Sequence, residues 1–470
     1  MADQKKTTVA VIGSGMAGLV SAYLLHRDSQ GRYKVQIFET QDRLSLDSAS
    51  FTIPSTDAHN SSPNRVDIPM RAFDEGFHIN LKQMYDYLGV GYITQKFVYS
   101  LSKYSTVNEK KYRPYFLHSS SNHHLPPIRP EGYGYLQWIM QITYLAACYF
   151  WFTVCCFVVK PKVASASNEE ETLRTYLKRI RLPWHFVKDY LLPLMSSVTT
   201  CSHDALLGFP ALDAVEYAKR TYRQPHYTVI SGVQEVQSKL SKELAVNFRA
   251  TATSVKSIGS QVELTWTDSN EVFHTSYFDH VVMAVPPDVV GSLFEPLREA
   301  MRVIPVIWGE SVVHNDFSSI ADCSRSLEKF SAKAQKRCDQ AQVMHIASDL
   351  SSTESVHQQS STLITNFPIS PINPDKIVHR ARLTRVLRTP KSKEIVNSIF
   401  TANQNEPTQV EKEPLWYNGK DNVWLVGSWC WDGMVLLEGC IVSAMRVATS
   451  LGVEVPWIIS PSEAVGHPKP

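Results

Sequence analysis

Three glycines and one acid carry the clearest chemistry in the chain. Gly13, Gly15 and Gly18 make G-x-G-x-x-G directly after the apolar run Val9–Ile12. Glu39 closes a second strand-like run, Lys34–Phe38, 21 residues beyond Gly18. Each has a mechanical job. Gly13 permits a tight turn, Gly15 lets a pyrophosphate approach the backbone, and Gly18 lets helix and strand pack closely. Ser14 and Ala17 lie in the same turn and count with the cofactor-binding residues. The helix that follows, running through Leu24 and Leu25, offers free N–H groups and the positive end of its dipole to phosphates. Glu39 is placed to accept hydrogen bonds from ribose hydroxyls, which favours FAD or NAD over NADP.

Composition narrows the partners. At 470 residues the chain is long enough for two or three domains. Lys plus Arg number 47 against 45 Asp plus Glu, and no basic patch stands out, so no nucleic-acid partner is expected. The eight cysteines lack metal-ligand spacing, and Cys155–Cys156 sit side by side in an apolar run, so no metal is expected. No signal-like segment precedes the first strand, and MADQKK is too short and polar for targeting. Together these suggest a reducing, intracellular setting, cytoplasmic or peripherally membrane-associated.

The elements that must position the glycines can be read in order. A Ser-rich loop leads to about Asn64, and Lys82–Val90 reads as a helix stopped at Gly89. Phe97–Leu101 is strand-like, followed by a loop rich in Ser, His and Pro to about Pro130. Gly132–Val159 contains no charged side chain and is long enough to cross a bilayer, yet it equally suits a buried or groove-lining helix. Glu169–Arg181, Trp184–Leu192 and Asp213–Tyr222 read as helices, the second stopping at Pro193. Strands are expected at 246–250, 254–258, 262–267 and 279–287, then at 311–314 and 362–366, with 348–361 as a surface loop. Asn422–Gly427 is a buried strand, a helix spans about 436–451, and the tail beyond Pro456 is expected to be mobile.

The C-terminal strand, Gly and helix make the opening motif specific. Val423–Ser428 followed by Gly433–Gly439 resembles the element of glutathione-reductase-type FAD proteins that returns to the cofactor. That resemblance adds Gly427, Ser428, Leu437 and Glu438 to the cofactor residues. Val255, on the strand after the SGV helix, stands where the amine-oxidase-like branch touches adenine through its backbone. Within that branch the chain is similar to the FAD/NAD-binding proteins associated with cyclopropane-fatty-acid synthases. Val66–Asp67, Leu88–Val90, Thr172–Leu173, Tyr176–Leu177, Tyr190–Leu194, Phe209–Ala211 and Val313–Asp316 carry the likeness.

The resemblance implies an α/β fold. A Rossmann-type FAD domain is built from discontinuous segments, 1–90, 225–300 and 412–456, with an α+β substrate domain from 91–224 and 301–411 and a tail at 457–470. The expected function is an FAD-dependent oxidoreductase, oxidase or desaturase in type. It would act on a small lipophilic substrate, with O₂ or a redox partner as electron acceptor and a peripheral membrane contact through 132–159. A flavin-dependent double-bond isomerase and a non-catalytic lipid carrier are the alternatives the same fold supports.

Some positions depart from the branch. Glu39 and Arg43 are followed by Ser45–Leu46 where Gly-Gly is usual, and Asp67 by Ile68–Pro69 where a Gly is usual. The Lys that amine oxidases carry on the first substrate-domain strand has no counterpart in Ile304–Asp316, which disfavours ordinary amine oxidation. Arg43 suits phosphate or a surface acid equally. His314 and Asp316 invite a general-base reading, although a strand-end His is more often structural. His123–His124 lack a second ligand pair, and Trp429 and Trp431 suit either a roof over the flavin or core packing. No catalytic residue is assigned.

Overall fold

Four apolar residues in a row are satisfied only where both faces of a strand are covered. In the computed structural model Val9–Ile12 belong to the strand Thr7–Ile12, third of five in an all-parallel sheet. The order is Ala245–Phe248, Tyr33–Glu39, Thr7–Ile12, His280–Met283, Val423–Leu425. Side chains alternate across the central strand with period two. Val9 and Val11 pack on one face with the helices Met16–His26 and Leu437–Ser450. Ala10 and Ile12 pack on the other with Val255, Val262 and Phe278 of an antiparallel three-stranded sheet, Thr251–Ile258, Gln261–Thr267 and Phe273–Phe278.

The second layer is a seven-stranded mixed sheet. Its order is Ile377–Val386, Val306–His314, Thr362–Asn366, Thr353–Gln359, Ala341–Ser348, Lys96–Lys103 and Pro114–Ser119. Helices Leu173–Arg179, Leu192–Thr199, His203–Leu207 and Ala211–Thr221 bury a separate core against it, together with part of the long helix Tyr135–Val158. The structure describes residues 6–48, 51–53, 64–68, 71–104, 114–119, 127, 129–130, 132–164, 169–320, 341–359, 362–401 and 416–458. Most of the loop read before Asn64, His123–His124 and nearly all of the tail lie outside the described residues.

The mixed α/β class with its parallel sheet is as expected, but three local readings are corrected. Pro193 does not end a helix. A π-helical turn, Val187–Leu191, precedes it, and Pro193 stands in the first turn of Leu192–Thr199, where a missing N–H costs least. The stretch read as a surface loop at 348–361 contains Thr353–Gln359, an interior strand. Its Ser355 is buried and paired across the sheet: Asn366 Nδ2 donates to Ser355 Oγ at 3.4 Å. The helix expected from Glu169 starts only at Leu173, because the Thr172 side chain caps it by accepting from Thr175 N.

Candidate cofactor and substrate site

The glycine turn is built by close approach. Gly13 has φ +95, and a Cβ there would lie 2.9 Å from Ala284 O. A Cβ on Gly18 would lie 2.1 Å from Gly13 O, so no side chain fits between helix and strand. Gly15 is different: a Cβ there meets no heavy atom within 4 Å. The open face of the turn is therefore at Gly15, at the N-terminus of Met16–His26, where no side chain caps the helix. Free peptide N–H groups and the helix dipole point to an anion there.

Glu39 organises the same turn from below. Its buried carboxylate accepts Ser14 N at 3.1 Å, the Ser14 and Ser45 hydroxyls, and Gln41 N at 2.9 Å. Ser45 N in turn donates to Ser14 Oγ at 2.8 Å. The departure at Ser45–Leu46 thus has a local purpose: Ser45 ties the loop to Glu39, and Leu46 is buried. Oε1 of Glu39 takes the Gln41 N–H only, which leaves acceptor capacity for a hydroxyl.

Gly15, Ala17, Gly427 and Ser428 line one channel of about 190 Å³, with Trp429 and Arg385. Gly15, Ser428, Leu437 and Arg385 also line a larger cavity of about 620 Å³. Its walls include Phe97, Tyr99, Phe152, Leu191, Leu194 and Met195. The structure thus gathers the two ends of the chain at one place. Trp429 donates Nε1 to Val285 O at 3.3 Å beside the channel, whereas Trp431 packs on Phe77 in the helical core.

Other sequence-selected residues lie elsewhere. Val255 is buried between the two sheets and lines neither space. Arg43 is exposed beside Asp42 at 3.5 Å. Glu438 accepts Asn80 N at 2.9 Å and Leu81 N at 3.1 Å, so its side chain caps the helix Ile79–Leu88. His314 is fully buried, bonded to Thr365 Oγ1 at 2.7 Å, and burial pushes its pKa down to about 4, which suits a structural imidazole.

Sequence reasoning did not single out the polar residues of the larger cavity. Asp74 and His78 both line it, with Nδ1 of His78 at 2.8 Å from Asp74 Oδ2. Burial opposes the charge of Asp74, yet His78 and the Phe77 N–H hold its carboxyl below the usual range. Arg71 and Arg385 line the same cavity from opposite ends of the sequence. The nearest departure noted in the sequence, Ile68–Pro69 after Asp67, stops short of Arg71.

These features fit FAD. The Gly15 cradle is open, the helix N-terminus above it is uncapped, and the C-terminal Gly427–Ser428 segment closes the same channel. Family comparison agrees. Residues 11–88 match the NAD(P)-binding Rossmann-like domain, and residues 159–314 match the flavin-containing amine oxidoreductases. No curated protein matches the sequence. Among solved structures, a protoporphyrinogen oxidase from Exiguobacterium sp. 255-15 shares 14% identity at TM-score 0.55, covering 95% of this chain and 99% of that one. A putrescine oxidase with a redesigned cofactor site shares 12% at TM-score 0.58, with coverage of 96% and 99%. Cyclohexylamine oxidase from Brevibacterium oxydans IH-35A shares 11% at TM-score 0.56, with coverage of 95% and 99%. At such identities the structural likeness is one of fold. The flavin-containing amine oxidoreductase match over residues 159–314, the Rossmann-like match over residues 11–88 and the geometry of the glycine channel together indicate an FAD-dependent oxidoreductase.

Proposed function

We propose that the enzyme oxidises a lipophilic substrate at a carbon centre, as an oxidase or desaturase. FAD, when bound, supplies the redox chemistry, taking a hydride from the substrate and passing electrons to O₂ or a redox partner. The single observation that carries this reading is the apolar cavity of about 620 Å³ sharing Gly15, Ser428 and Arg385 with the cofactor channel. The chain's residues position and shield. Gly15, Ala17 and the first turn of Met16–His26 would hold the pyrophosphate, and Glu39 the ribose. Phe97, Phe152, Leu191 and Leu194 would order an apolar chain and exclude water. In this reading residues 1–90, 225–300 and 412–456 form the cofactor side and 91–224 with 301–411 the substrate side.

The long helix supports a lipophilic substrate. Phe152 reaches the cavity while its neighbour Phe150 is 71% exposed, so one helix spans from cavity wall to outer surface. We read that surface as a peripheral membrane contact through which substrate is taken up. The finer likeness to proteins associated with cyclopropane-fatty-acid synthases is in line with an acyl chain. Ordinary amines fit less well, because no lysine is among the described residues lining the cavity.

Anaerobic incubation of the holoenzyme with acyl compounds and, separately, with simple primary amines tests the proposal. Bleaching of the visible flavin band by an acyl compound is expected, and rapid bleaching by simple amines alone would overturn it. Isomer formation without net bleaching would also overturn it, in favour of an isomerase.

A further inference from the structure

We propose that Arg71 and Arg385 form an anion subsite in the substrate cavity, and that the substrate is a lipophilic acid whose carboxylate they hold. The inference deepens the function proposed above and rests on it.

Charge bookkeeping in the cavity motivates it. Two guanidinium groups line the space, and the sole carboxylate among its described lining residues is Asp74. Asp74 is already committed to His78 at 2.8 Å, to Phe77 N at 2.6 Å and to Gly76 N at 3.0 Å. Neither arginine side chain has a hydrogen bond or ion pair with a described residue, and Nε of Arg385 is sealed from solvent with no partner. Burial, and then the charge of Arg71, pull the pKa of Arg385 down to about 10, so the pair repel each other without a counter-charge. A buried, unpaired guanidinium is costly, and an anionic oxygen group bonded by both would remove the cost.

Two sources could supply that anion, the substrate or the phosphates of FAD. Position favours the substrate. Arg385 lines both spaces, but Arg71 lines the larger cavity and not the glycine channel, and the phosphate cradle has its own donors at Gly15. Arg385 stands on the strand Ile377–Val386 of the second layer, next to Leu383 and Thr384, which line the cavity with it. Phe97, Phe152, Leu191 and Met195 supply apolar walls to the same cavity. A carboxylate head with a hydrocarbon tail matches both kinds of lining.

The test titrates the flavin-loaded enzyme with sodium decanoate and with 1-decanol, following the visible flavin band. Decanoate should bind about tenfold or more tighter than decanol, the value of one charge-assisted hydrogen bond or more. Arg385→Gln and Arg71→Gln should each erase most of that preference, and Arg385→Lys should keep part of it. Equal binding of the two probes by the wild type overturns the inference. So does a pair of Gln variants that release FAD yet keep the decanoate preference in the loaded fraction, since the anion is then a cofactor phosphate. If Arg385→Gln does not fold, the wild-type comparison and Arg71→Gln decide alone. A protein that takes up no FAD overturns the parent reading, while a loaded enzyme indifferent to the carboxylate overturns this one only.

Discussion

The carboxylate of Glu438 accepts the backbone N–H of Asn80, 358 positions earlier in the chain, at 2.9 Å. It also takes Asn80 Nδ2 at 2.6 Å and Leu81 N at 3.1 Å. The closing helix therefore caps the helix Ile79–Leu88, whose preceding residue, His78, lines the cavity. A contact between residues near the two ends of the chain thus sets the position of a cavity wall.

Glu438→Ala should destabilise the protein by about 2–4 kcal/mol, because it strands two N–H groups of a helix terminus. Glu438→Gln keeps one acceptor and should cost about 1–2 kcal/mol. Denaturant unfolding of the flavin-bound variants measures both. Equal midpoints for wild type and alanine variant would contradict the capping role. Any weakening of FAD binding is expected to be indirect, since the side chain is spent on the helix.

Glu39 should matter to the cofactor directly. Its carboxylate both orders the Ser14–Ser45 loop and keeps an acceptor position open. Each charge-assisted bond lost in Glu39→Ala is worth about 1.5–3 kcal/mol, roughly ten- to a hundredfold in FAD affinity. Ser45→Ala removes one loop bond and should weaken FAD by less. Absorbance titration of the apoprotein with FAD reads both, and an alanine variant with wild-type affinity would refute the assignment.

What could be read locally depended on whether the determining contacts were local. The turn at Gly13–Gly18 is specified by its own residues and the two strands flanking it, so its form was legible. Thr353–Gln359 was not, because Ser355 and His357 look like loop residues until strands on both sides bury them. Arg71 and Arg385 share a cavity through tertiary packing alone, and no spacing rule joins positions so far apart. Glu438 reads as a cofactor residue by resemblance, because the helix its side chain caps is a partner that only folding brings near.

Asp316 gives a pH prediction away from the site. Burial raises its pKa, but bonds from Ser318, from Asn373 N at 3.0 Å and from Lys376 outweigh burial and hold it at about 2, against 3.8 ordinarily. A folded-state pKa below the unfolded one gives stability that is present above about pH 4 and lost as pH falls toward 2. Allowing for the half-exposed Lys376, the contribution is about 1–2 kcal/mol. Asp316→Asn should therefore lower the melting temperature at neutral pH and flatten its acid limb. Parallel acid limbs for the two proteins would show that the carboxylate is not held as described.

The last prediction concerns the helix Tyr135–Val158, long and apolar enough to cross a membrane by length and composition. Two observations bear on how it is used. Only 28% of its most apolar window is buried, so most of it is not core. Yet the helix lies between Gly15 and Ser428 in sequence, so a simple crossing would put them on opposite sides of the membrane, whereas both line one cavity. A helix lying on one leaflet meets both constraints. Leu136, Ile139, Met140, Phe150, Phe157 and Val158 are among its exposed large apolar residues, and no charge interrupts Gly132–Val159. Lys160 follows at its end, where headgroups would lie. The protein should therefore float with liposomes, and Leu136→Glu with Phe150→Glu should release it while leaving the flavin spectrum unchanged. Both substituted residues are 71% exposed, so the double variant should fold. A wild-type protein that stays soluble without detergent and never floats would show that this face does not meet lipid.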